Sequence, residues 1–464
     1  MDLLIFGTGG YYQYWQYKLQ KHMKEDRILA FIDNNAKNKR EYEGKSVYFP
    51  QEIGNINYDA IVLMSNYAID MHKQLREQGV LEEKIYFFDE YVRHKSHGKV
   101  RFFVGGKCET KQRILFLMDA LGYNGGTMAM VNAARAMKRK GYDVAIGAAW
   151  ADEDFLDEIV REGLNVIIAP AIPAIGVEEW FWLRFFDVVL VNVFQMVQAA
   201  CEISKKMPVI WWLHESTVVY PPIQYKFRKY CNPELMKSAY IIAVSEVAKN
   251  NFEQFYPGLV RGVLPYGLPD KKINTNRKIR TDKFVFAVIG TIIPLKAQDL
   301  FLQAASVIPN SLRAQMEFWI IGEEVDDKFL QVVQHLLNGV PQARMWGGKT
   351  RAELDEMFSD IDVVVCTSKQ ECLSTVIVEG MMYRKLVMVN ERNGVTKYIL
   401  DNKNGFLYNW GDATDLAEKM AWIYLNRESL EEVRENARKT YEDNFTLEKF
   451  ADELEHIIIN IERT

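Results

Sequence analysis

The chain has 464 residues, of which 48% are hydrophobic, and a formal net charge of −5. This length accommodates about three domains of ~150 residues each, and the negative charge argues against general nucleic-acid binding. No apolar run reaches about 18 residues, so we expect no membrane span. The start of the chain lacks the cationic leader of a signal peptide and predicts a strand instead.

The cysteines are odd in number and form no Cys-x-x-Cys pair. This usage indicates a reducing cytosol and no structural zinc. We therefore expect a cytoplasmic protein, with the inner face of the membrane as an alternative location. The five cysteines are Cys108, Cys201, Cys231, Cys366 and Cys372.

Residues 1–98 follow the pattern of a small Rossmann-like domain. A strand at 3–6 precedes Gly7-Thr8-Gly9-Gly10 and a helix, and a second strand at 29–32 ends in Asp33. This is a dinucleotide-fold opening, with an acid where a ribose hydroxyl is bound. Tyr12, however, occupies the third glycine position, so we favour a domain that keeps the turn for its backbone geometry. The stretch resembles the small domains attached to bacterial sugar-modifying enzymes.

A polar linker at 94–112 is followed by a second α/β pattern. A strand at 114–118 leads into a loop that ends in Gly125-Gly126, and the next helix stops at Gly141. The glycine pair either allows backbone amides to approach a diphosphate or only makes a tight strand-to-helix turn. We expect a fragment that starts near Lys111 to fold and to bind nucleotide.

Three features of the following segment carry functional hypotheses. A strand at 209–213 ends in His214-Glu215, and the carboxyl ends of strands are where open α/β sheets bind ligands. The aromatic stretch at 180–186 predicts a buried helix rather than a membrane-seeking one. A basic run indicates a solvated helix face, with contact to anionic lipid headgroups as an alternative. The run consists of Lys226, Arg228 and Lys229.

A basic connector at 271–280 precedes the third α/β pattern. Its first strand, at 284–289, runs into a turn that carries Thr291 and Lys296. Further strands are predicted at 318–321, 363–366 and 386–389. Three helices are predicted at the end of the chain, at 412–425, 429–441 and 447–461.

The stretch 367–381 is the most informative part of the chain. It follows an apolar run typical of a buried parallel strand, and Ser374 is a plausible helix N-cap. Glu371 and Glu379 are eight positions apart, just over two helical turns, so both can face one ligand. Amides at a helix start suit a phosphate, and carboxylates suit hydroxyls. A molecule that carries both groups is a nucleotide-sugar.

These residues resemble the Glu-x7-Glu signature of glycosyltransferase family 4, and the resemblance extends over residues 113–464. It implies the α/β GT-B fold, with two facing Rossmann-like domains and retention of anomeric configuration. The expected domains are 113–270 on the acceptor side and 281–464 for the nucleotide-sugar, preceded by 1–98. The implied reaction moves a sugar from a nucleotide-sugar to an acceptor hydroxyl, in bacterial cell-surface polysaccharide or glycoconjugate synthesis.

The resemblance also implies roles for individual residues. Lys296 would neutralise the leaving diphosphate in place of a metal, so we expect no metal and no other cofactor. His214 would reach the donor sugar, and Glu379 would hold the ribose. The implied catalytic residues are His214, Lys296 and Glu371. The implied donor-binding residues are Gly125, Gly126, Thr291, Lys296, Trp346, Glu371, Cys372, Leu373, Ser374, Thr375 and Glu379.

The expected partners are a nucleotide-sugar donor and a glycan or lipid-linked glycan acceptor, with peripheral membrane contact as a further hypothesis and no nucleic acid. Two departures from the family pattern keep alternatives open. Thr291 stands where the family has an Arg, and Lys397 where many members have a Glu. One alternative is therefore a non-catalytic GT-B partner subunit of another glycosyltransferase. A second is a nucleotide-dependent oxidoreductase that works through Gly7 to Asp33.

Overall fold

The computed structural model describes residues 1–38, 40–106, 112–271 and 281–461. The described residues do not include Cys108 or Lys111, near which the predicted folding fragment starts. They also leave out nearly all of the predicted connector at 271–280. The chain divides into two units. The first holds Met1–Tyr123, Tyr142–Trp211 and Val219–Ala239. The second holds Asn124–Gly141, Trp212–Val218 and the described residues from Tyr240 onward.

The N-terminal part of the first unit is built on a sheet with the order β3-β4-β2-β1-β5-β6, parallel except for the β3–β4 pair. Its central strand is fully buried from Leu3 to Phe6, as the apolar run predicts. The strands are β1 Asp2–Phe6, β2 Arg27–Ile32, β3 Glu41–Tyr42, β4 Lys45–Tyr48, β5 Ala60–Leu63 and β6 Ile85–Phe87. The helices are α1 Gly10–Met23, α2 Ala68–Glu77 and α3 Phe88–His94.

The middle of the chain alternates strands and helices. The strands are β7 Arg101–Phe103, β8 Arg113–Leu121, β9 Asp143–Ala151, β10 Asn165–Ile168, β11 Val188–Asn192, β12 Val209–Leu213, β13 Tyr240–Ala243 and β14 Gly262–Val263. The helices are α4 Gly125–Arg139, α5 Glu153–Arg161, α6 Trp180–Leu183, α7 Val197–Ser204, α8 Tyr220–Lys226, α9 Pro233–Met236 and α10 Glu246–Glu253. In the first unit the sheet order is β12-β11-β8-β9-β10-β7, and β7 is antiparallel to β10. In the second unit β13 pairs with β14 in parallel.

The remainder of the second unit contains a fully parallel sheet with the order β17-β16-β15-β18-β19-β20. Its strands are β15 Phe284–Ile289, β16 Met316–Ile321, β17 Ala343–Met345, β18 Val363–Cys366, β19 Leu386–Asn390 and β20 Phe406–Tyr408. Its helices are α11 Gln298–Val307, α12 Asn310–Arg313, α13 Asp327–Leu337, α14 Arg351–Met357, α15 Thr375–Met382, α16 Ala413–Leu425, α17 Glu431–Asn444 and α18 Leu447–Ile461.

Helix α15 packs closely on this sheet because Gly380 leaves room for it. A Cβ at Gly380 would lie 2.9 Å from Cγ1 of Val387 and 3.0 Å from Cγ2 of Val364. These separations are shorter than ordinary carbon contacts, so a larger residue would push the helix away. The apolar strand before Ser368 and the helix after Ser374 are both confirmed.

The predicted solvated basic face is wrong for Lys226. Its side chain is only 19% exposed, and its ammonium forms an ion pair with Asp89 of α3. Arg228 is more exposed but pairs with Glu82 at 2.5 Å. The N-terminal sheet region and the segment around α8 are thus held together within the first unit by opposite charges.

The aromatic stretch at 180–186 is partly buried. Trp182 and Leu183 are buried, as a core helix requires, whereas Phe181 and Phe185 are about half exposed. Among the described residues, none of the helices combines the length and apolar character that crossing a membrane requires.

Candidate functional site

A cavity of about 320 Å³ lies in the second unit, where β15 and β18 end and α4 and α15 begin. Because neighbouring parallel strands end at the same edge of the sheet, the turns that follow β15 and β18 meet there. The cavity brings together ten predicted site residues: Gly125, Gly126, His214, Thr291, Lys296, Glu371, Cys372, Leu373, Ser374 and Thr375.

Lys296 and Glu371 form the charged centre of this cavity. The ammonium of Lys296 pairs with Oε1 of Glu371, and the Ser368 hydroxyl donates to the same oxygen at 2.8 Å. Burial of Lys296 disfavours its charge, but the Glu371 carboxylate outweighs this and raises the pKa of Lys296. The lysine is therefore a fixed cation at neutral pH. The Thr367 hydroxyl donates to the Lys296 carbonyl at 2.8 Å and joins the two turns.

Helix α15 begins at the predicted residue. Ser374 occupies the N-cap position, but its side chain makes no capping hydrogen bond, and the first turn of the helix contains no acid. The first N–H groups of a helix have no acceptor within it. Thr375 and Val376 both line the cavity, so this edge combines amides that have no acceptor within the helix with the positive end of the helix dipole. Such an edge favours an anion.

His214 lies directly after β12, with its ring centroid 4.4 Å from that of Trp212. Its Nε2 atom is buried and has no hydrogen-bond partner among the described residues. Burial lowers the pKa of the imidazole to about 3, so the ring is neutral at neutral pH. A neutral imidazole at the wall of a cavity can exchange a hydrogen bond with a bound hydroxyl.

Two predicted donor-binding residues, Glu379 and Trp346, are not part of the cavity lining. Oε1 of Glu379 pairs with Arg351, and Oε2 has no hydrogen-bond partner in the described part of the chain. Burial raises the pKa of Glu379, against the opposing effect of Arg351. The Trp346 ring packs on Trp319, with centroids 4.9 Å apart. The roles of Glu379 and Trp346 remain predictions.

The structure adds three residues to which the sequence assigned no role. Ser368 hydrogen-bonds Glu371, and the Tyr266 hydroxyl donates to the Leu373 carbonyl at 3.2 Å. Asn251 is buried beside Gln370. Ser368 could have been found because it lies three residues before Glu371. The other two come from segments more than about a hundred residues away, where no local pattern signals the contact.

The chain contains two Asp-x-Asp patterns, at 152–154 and 360–362, and in each of them an aspartate has a structural role. Asp152 caps α5 by accepting from the Phe155 N–H at 3.0 Å, and Asp362 accepts from the Val285 N–H at 2.8 Å. Among the described residues, only His97, Glu178 and Glu179 gather three metal-capable groups. Glu179 already accepts backbone N–H groups at 2.9 and 3.1 Å.

Comparison with known proteins supports the group 1 glycosyltransferase family. Residues 270–440 match the family model described as "Glycosyl transferases group 1". Residues 1–86 match the model described as "C2185-like, N-terminal". The α/β fold is GT-B, since solved GT-B glycosyltransferases superimpose on most of the chain.

One such structure is Anabaena HepE in complex with UDP and glucose. It has a TM-score of 0.65 and 17% identity, over 75% of this chain and all of that one. Sucrose-phosphate synthase from Thermosynechococcus elongatus has a TM-score of 0.62 and 14% identity, over 76% of this chain and all of that one. At these identities the likeness concerns the fold.

Curated relatives match over a shorter range. An uncharacterized glycosyltransferase of Methanocaldococcus jannaschii is 25% identical over 245 residues, which are 52% of this chain and 66% of the relative. The lipopolysaccharide 1,2-N-acetylglucosaminetransferase of Salmonella typhimurium is 24% identical over 191 residues, or 38% of this chain and 50% of the relative. The chain thus spans between half and two thirds of the length of these two relatives.

Proposed function

We propose that the protein is a retaining glycosyltransferase that moves a sugar from a nucleotide-sugar to an acceptor hydroxyl. The observation that carries the proposal is a single cavity in which a fixed cation, a carboxylate and an uncapped helix start come together. A sugar diphosphate offers a partner for each of these groups. Its hydroxyls suit the carboxylate, and its phosphate oxygens suit the cation and the helix amides.

The diphosphate would occupy the side of the cavity formed by Lys296 and the start of α15. The amides of Ser374 and Thr375 would donate to phosphate oxygens, and the amides at Gly125 and Gly126 would approach from the start of α4. Negative charge on the diphosphate grows as the glycosidic bond breaks. A preorganised cation therefore stabilises the transition state more than the ground state.

The donor sugar would lie between Glu371 and His214. In the free protein Lys296 and Glu371 neutralise each other. On donor binding, the diphosphate replaces Glu371 as the partner of Lys296, and sugar hydroxyls replace Lys296 as the partners of Glu371. Ser368 would keep the carboxylate in place during this exchange, and amides at Cys372 and Leu373 would assist it.

The nucleoside would extend past the cavity along α15. The free Oε2 of Glu379 would accept a ribose hydroxyl, while Oε1 stays with Arg351. Trp346, in the turn after β17, would seat the base. These assignments follow the Glu-x7-Glu resemblance and require the nucleoside to reach beyond the cavity lining.

The transfer step needs no separate base. The bond between the anomeric carbon and the phosphate oxygen breaks, a bond to the acceptor oxygen forms on the same face, and the departing phosphate oxygen takes the acceptor's proton. Same-face attack retains the anomeric configuration. Lys296 and the helix amides supply the positive charge, so we propose that the reaction proceeds without a metal or other cofactor.

The setting of the reaction is also a proposal. The Salmonella relative's name places that protein in lipopolysaccharide synthesis. We therefore propose a glycan or lipid-linked glycan acceptor and bacterial polysaccharide or glycoconjugate synthesis, in the cytosol at the inner face of the membrane. We propose the domain limits 1–98, 113–270 and 281–464.

The test is a donor screen with a matched inactive variant. UDP-, GDP- and ADP-sugars are titrated by thermal shift, since a ligand of the native state raises its stability. Nucleoside diphosphate release is then measured for the stabilising donor, with Lys296→Ala as control, and the product anomer is assigned by NMR. A product with inverted anomeric configuration would contradict the proposed retaining mechanism. Donor binding without release, even with glycan acceptors, would favour the non-catalytic partner.

A further inference from the structure

One buried amide bonds to both segments that carry the proposed catalytic groups. Asn251 lies in α10 and is 3% exposed. Its Nδ2 donates to the Glu215 carbonyl at 3.2 Å and to Sγ of Cys372 at 3.6 Å. Its Oδ1 accepts from Nε2 of Gln370 at 3.1 Å. The four residues all belong to the second unit.

These contacts flank the two functional side chains. Glu215 follows His214 in the chain, and its carboxylate accepts the His214 N–H at 2.8 Å. Gln370 and Cys372 stand on either side of Glu371. A carboxamide is suited to this place because it donates and accepts at once. An aspartate would keep the acceptor and lose both donors, and an alanine would lose all three contacts.

The segment that carries Glu371 has little room to shift. A Cβ at Gly394 would lie 1.7 Å from the Cys372 carbonyl oxygen and 2.6 Å from Oγ of Ser245. The Tyr266 hydroxyl holds the next carbonyl, that of Leu373. A chain packed this closely transmits a displacement at Asn251 to Glu371 rather than absorbing it.

We propose that Asn251 is a positioning residue for sugar transfer, which sets the placement of His214 relative to Glu371 around the donor sugar. The inference rests on the proposed function, because it assigns Asn251 an effect on that reaction. Rates depend steeply on such placement, since a misplacement of about 1 Å can cost ~10²-fold. In the described part of the chain the Asn251 side chain bonds to Glu215, Gln370 and Cys372 and not to Lys296, so we expect Asn251 to affect sugar transfer more than diphosphate binding.

The test compares Asn251→Ala with Asn250→Ala, an exposed asparagine one position earlier on the same helix. We expect Asn251→Ala to lower kcat by about 10- to 100-fold. The affinity for the nucleoside diphosphate that the wild type releases should stay within about twofold. Asn250→Ala should match the wild type in both. Gln370→Ala should lower kcat by less, and its effect should be smaller still in the Asn251→Ala background, because the two residues share one hydrogen bond.

An unchanged kcat in Asn251→Ala would overturn the inference, and so would parallel losses of kcat and nucleotide affinity, which indicate general loosening. If Asn251→Ala does not fold, the test of the inference rests on Gln370→Ala. Gln370 lies in a turn, and its substitution removes the hydrogen bond to Asn251 while Asn251 itself stays in place. A wild-type chain without transfer activity would overturn the proposed function itself, and this inference with it.

Discussion

Two cavities of this protein lie at the carboxyl ends of parallel strands and are bounded by glycine turns. The N-terminal cavity, of about 420 Å³, is lined by the turns after β1, β2 and β5, including Gly7, Gly9, Gly10 and Asp33. The cavity at Lys296 and Glu371 has about 320 Å³. In backbone architecture the two resemble each other, and both are positions where α/β sheets bind ligands.

They differ in what their charged groups do. Oδ2 of Asp33 accepts from the Thr8 N–H at 3.1 Å and from its hydroxyl at 2.7 Å, and Oδ1 accepts from the Asn35 N–H at 2.9 Å. The described lining of the N-terminal cavity contains no Lys or Arg. A cofactor diphosphate would meet the amides at the start of α1 there but no cation, and Asp33 already holds the glycine turn.

The glycine at the start of that turn has a backbone explanation. Gly7 has φ +114°, and a Cβ there would lie 2.5 Å from the Met64 carbonyl oxygen. Tyr12, at the third glycine position, is fully buried, and its hydroxyl donates to Glu43 at 3.0 Å. A glycine turn therefore indicates only a backbone conformation, whereas the charged groups beside the turn indicate which ligand can bind there. This contrast favours the Lys296 cavity over the oxidoreductase alternative.

The largest expected effect comes from removing the cation. Lys296→Ala should lower kcat by ~10²–10³, because loss of a preorganised electrostatic contact typically costs ~2.7–4 kcal/mol. Thr291 stands where glycosyltransferase family 4, which this chain resembles, has an Arg. It offers no charge to compensate, so the loss should lie at the severe end. Steady-state kinetics on the stabilising donor measures it. Near-normal turnover would show that Lys296 does not stabilise the leaving diphosphate.

Substitution of each glutamate by glutamine should distinguish the contact with the donor sugar from the contact with the nucleoside. Glu371→Gln keeps the side-chain size but removes the charge, so turnover should fall by about tenfold or more while nucleotide affinity is largely kept. Glu379→Gln should weaken nucleoside diphosphate binding and affect turnover less. Kinetics and calorimetric titration on both variants make the comparison. The opposite pattern would contradict the roles assigned to Glu371 and Glu379.

His214 should make the folded state sensitive to acid. Its folded pKa is about 3, below the ordinary value of 6.5. Between these values the unfolded chain binds a proton that the folded chain does not, so stability falls as pH decreases from about 6.5 toward 3. Denaturant unfolding of His214→Asn should show a shallower loss over this range than the wild type. Equal slopes would mean that the folded protein does not lower the pKa of His214.

Asp33 should matter for stability and not for transfer. Asp33→Ala leaves the Thr8 N–H without its acceptor, which should cost about 1–3 kcal/mol of unfolding free energy. Donor affinity and kcat should remain unchanged. Asp70→Ala is the matched control, since this exposed acid lines the same cavity. A selective loss of donor binding in Asp33→Ala would reverse the comparison between the two cavities.

The smallest expected effect is that of a chelator. Lys296 and the start of α15 supply the positive charge that a metal supplies elsewhere, so excess EDTA should leave kcat within about twofold. The assay is run with metal-free donor, followed by added magnesium or manganese. Loss of activity with EDTA and its restoration by metal would show that the leaving-group site is assigned wrongly.

Local sequence patterns determined much of the fold. The apolar run at Val363–Cys366 is a buried strand, and the last helix has the predicted bounds, Leu447–Ile461. The positions of Lys296 and Glu371 in the same cavity also follow from sequence, because both lie in turns that follow strands of one parallel sheet. Periodicity and strand-end position are properties of short segments, so a sequence shows them directly.

Tertiary structure alone decided which partners the polar groups take. Lys226 looks like a solvated cation but is partly buried and paired with Asp89. Glu379 is paired with Arg351, and Asn251 joins the segments at Glu215 and Gln370. Each of these contacts joins residues far apart in the chain. Hydrogen-bond and ion-pair partners depend on which segments the folded core brings within about 3 Å, and no local pattern records that distance.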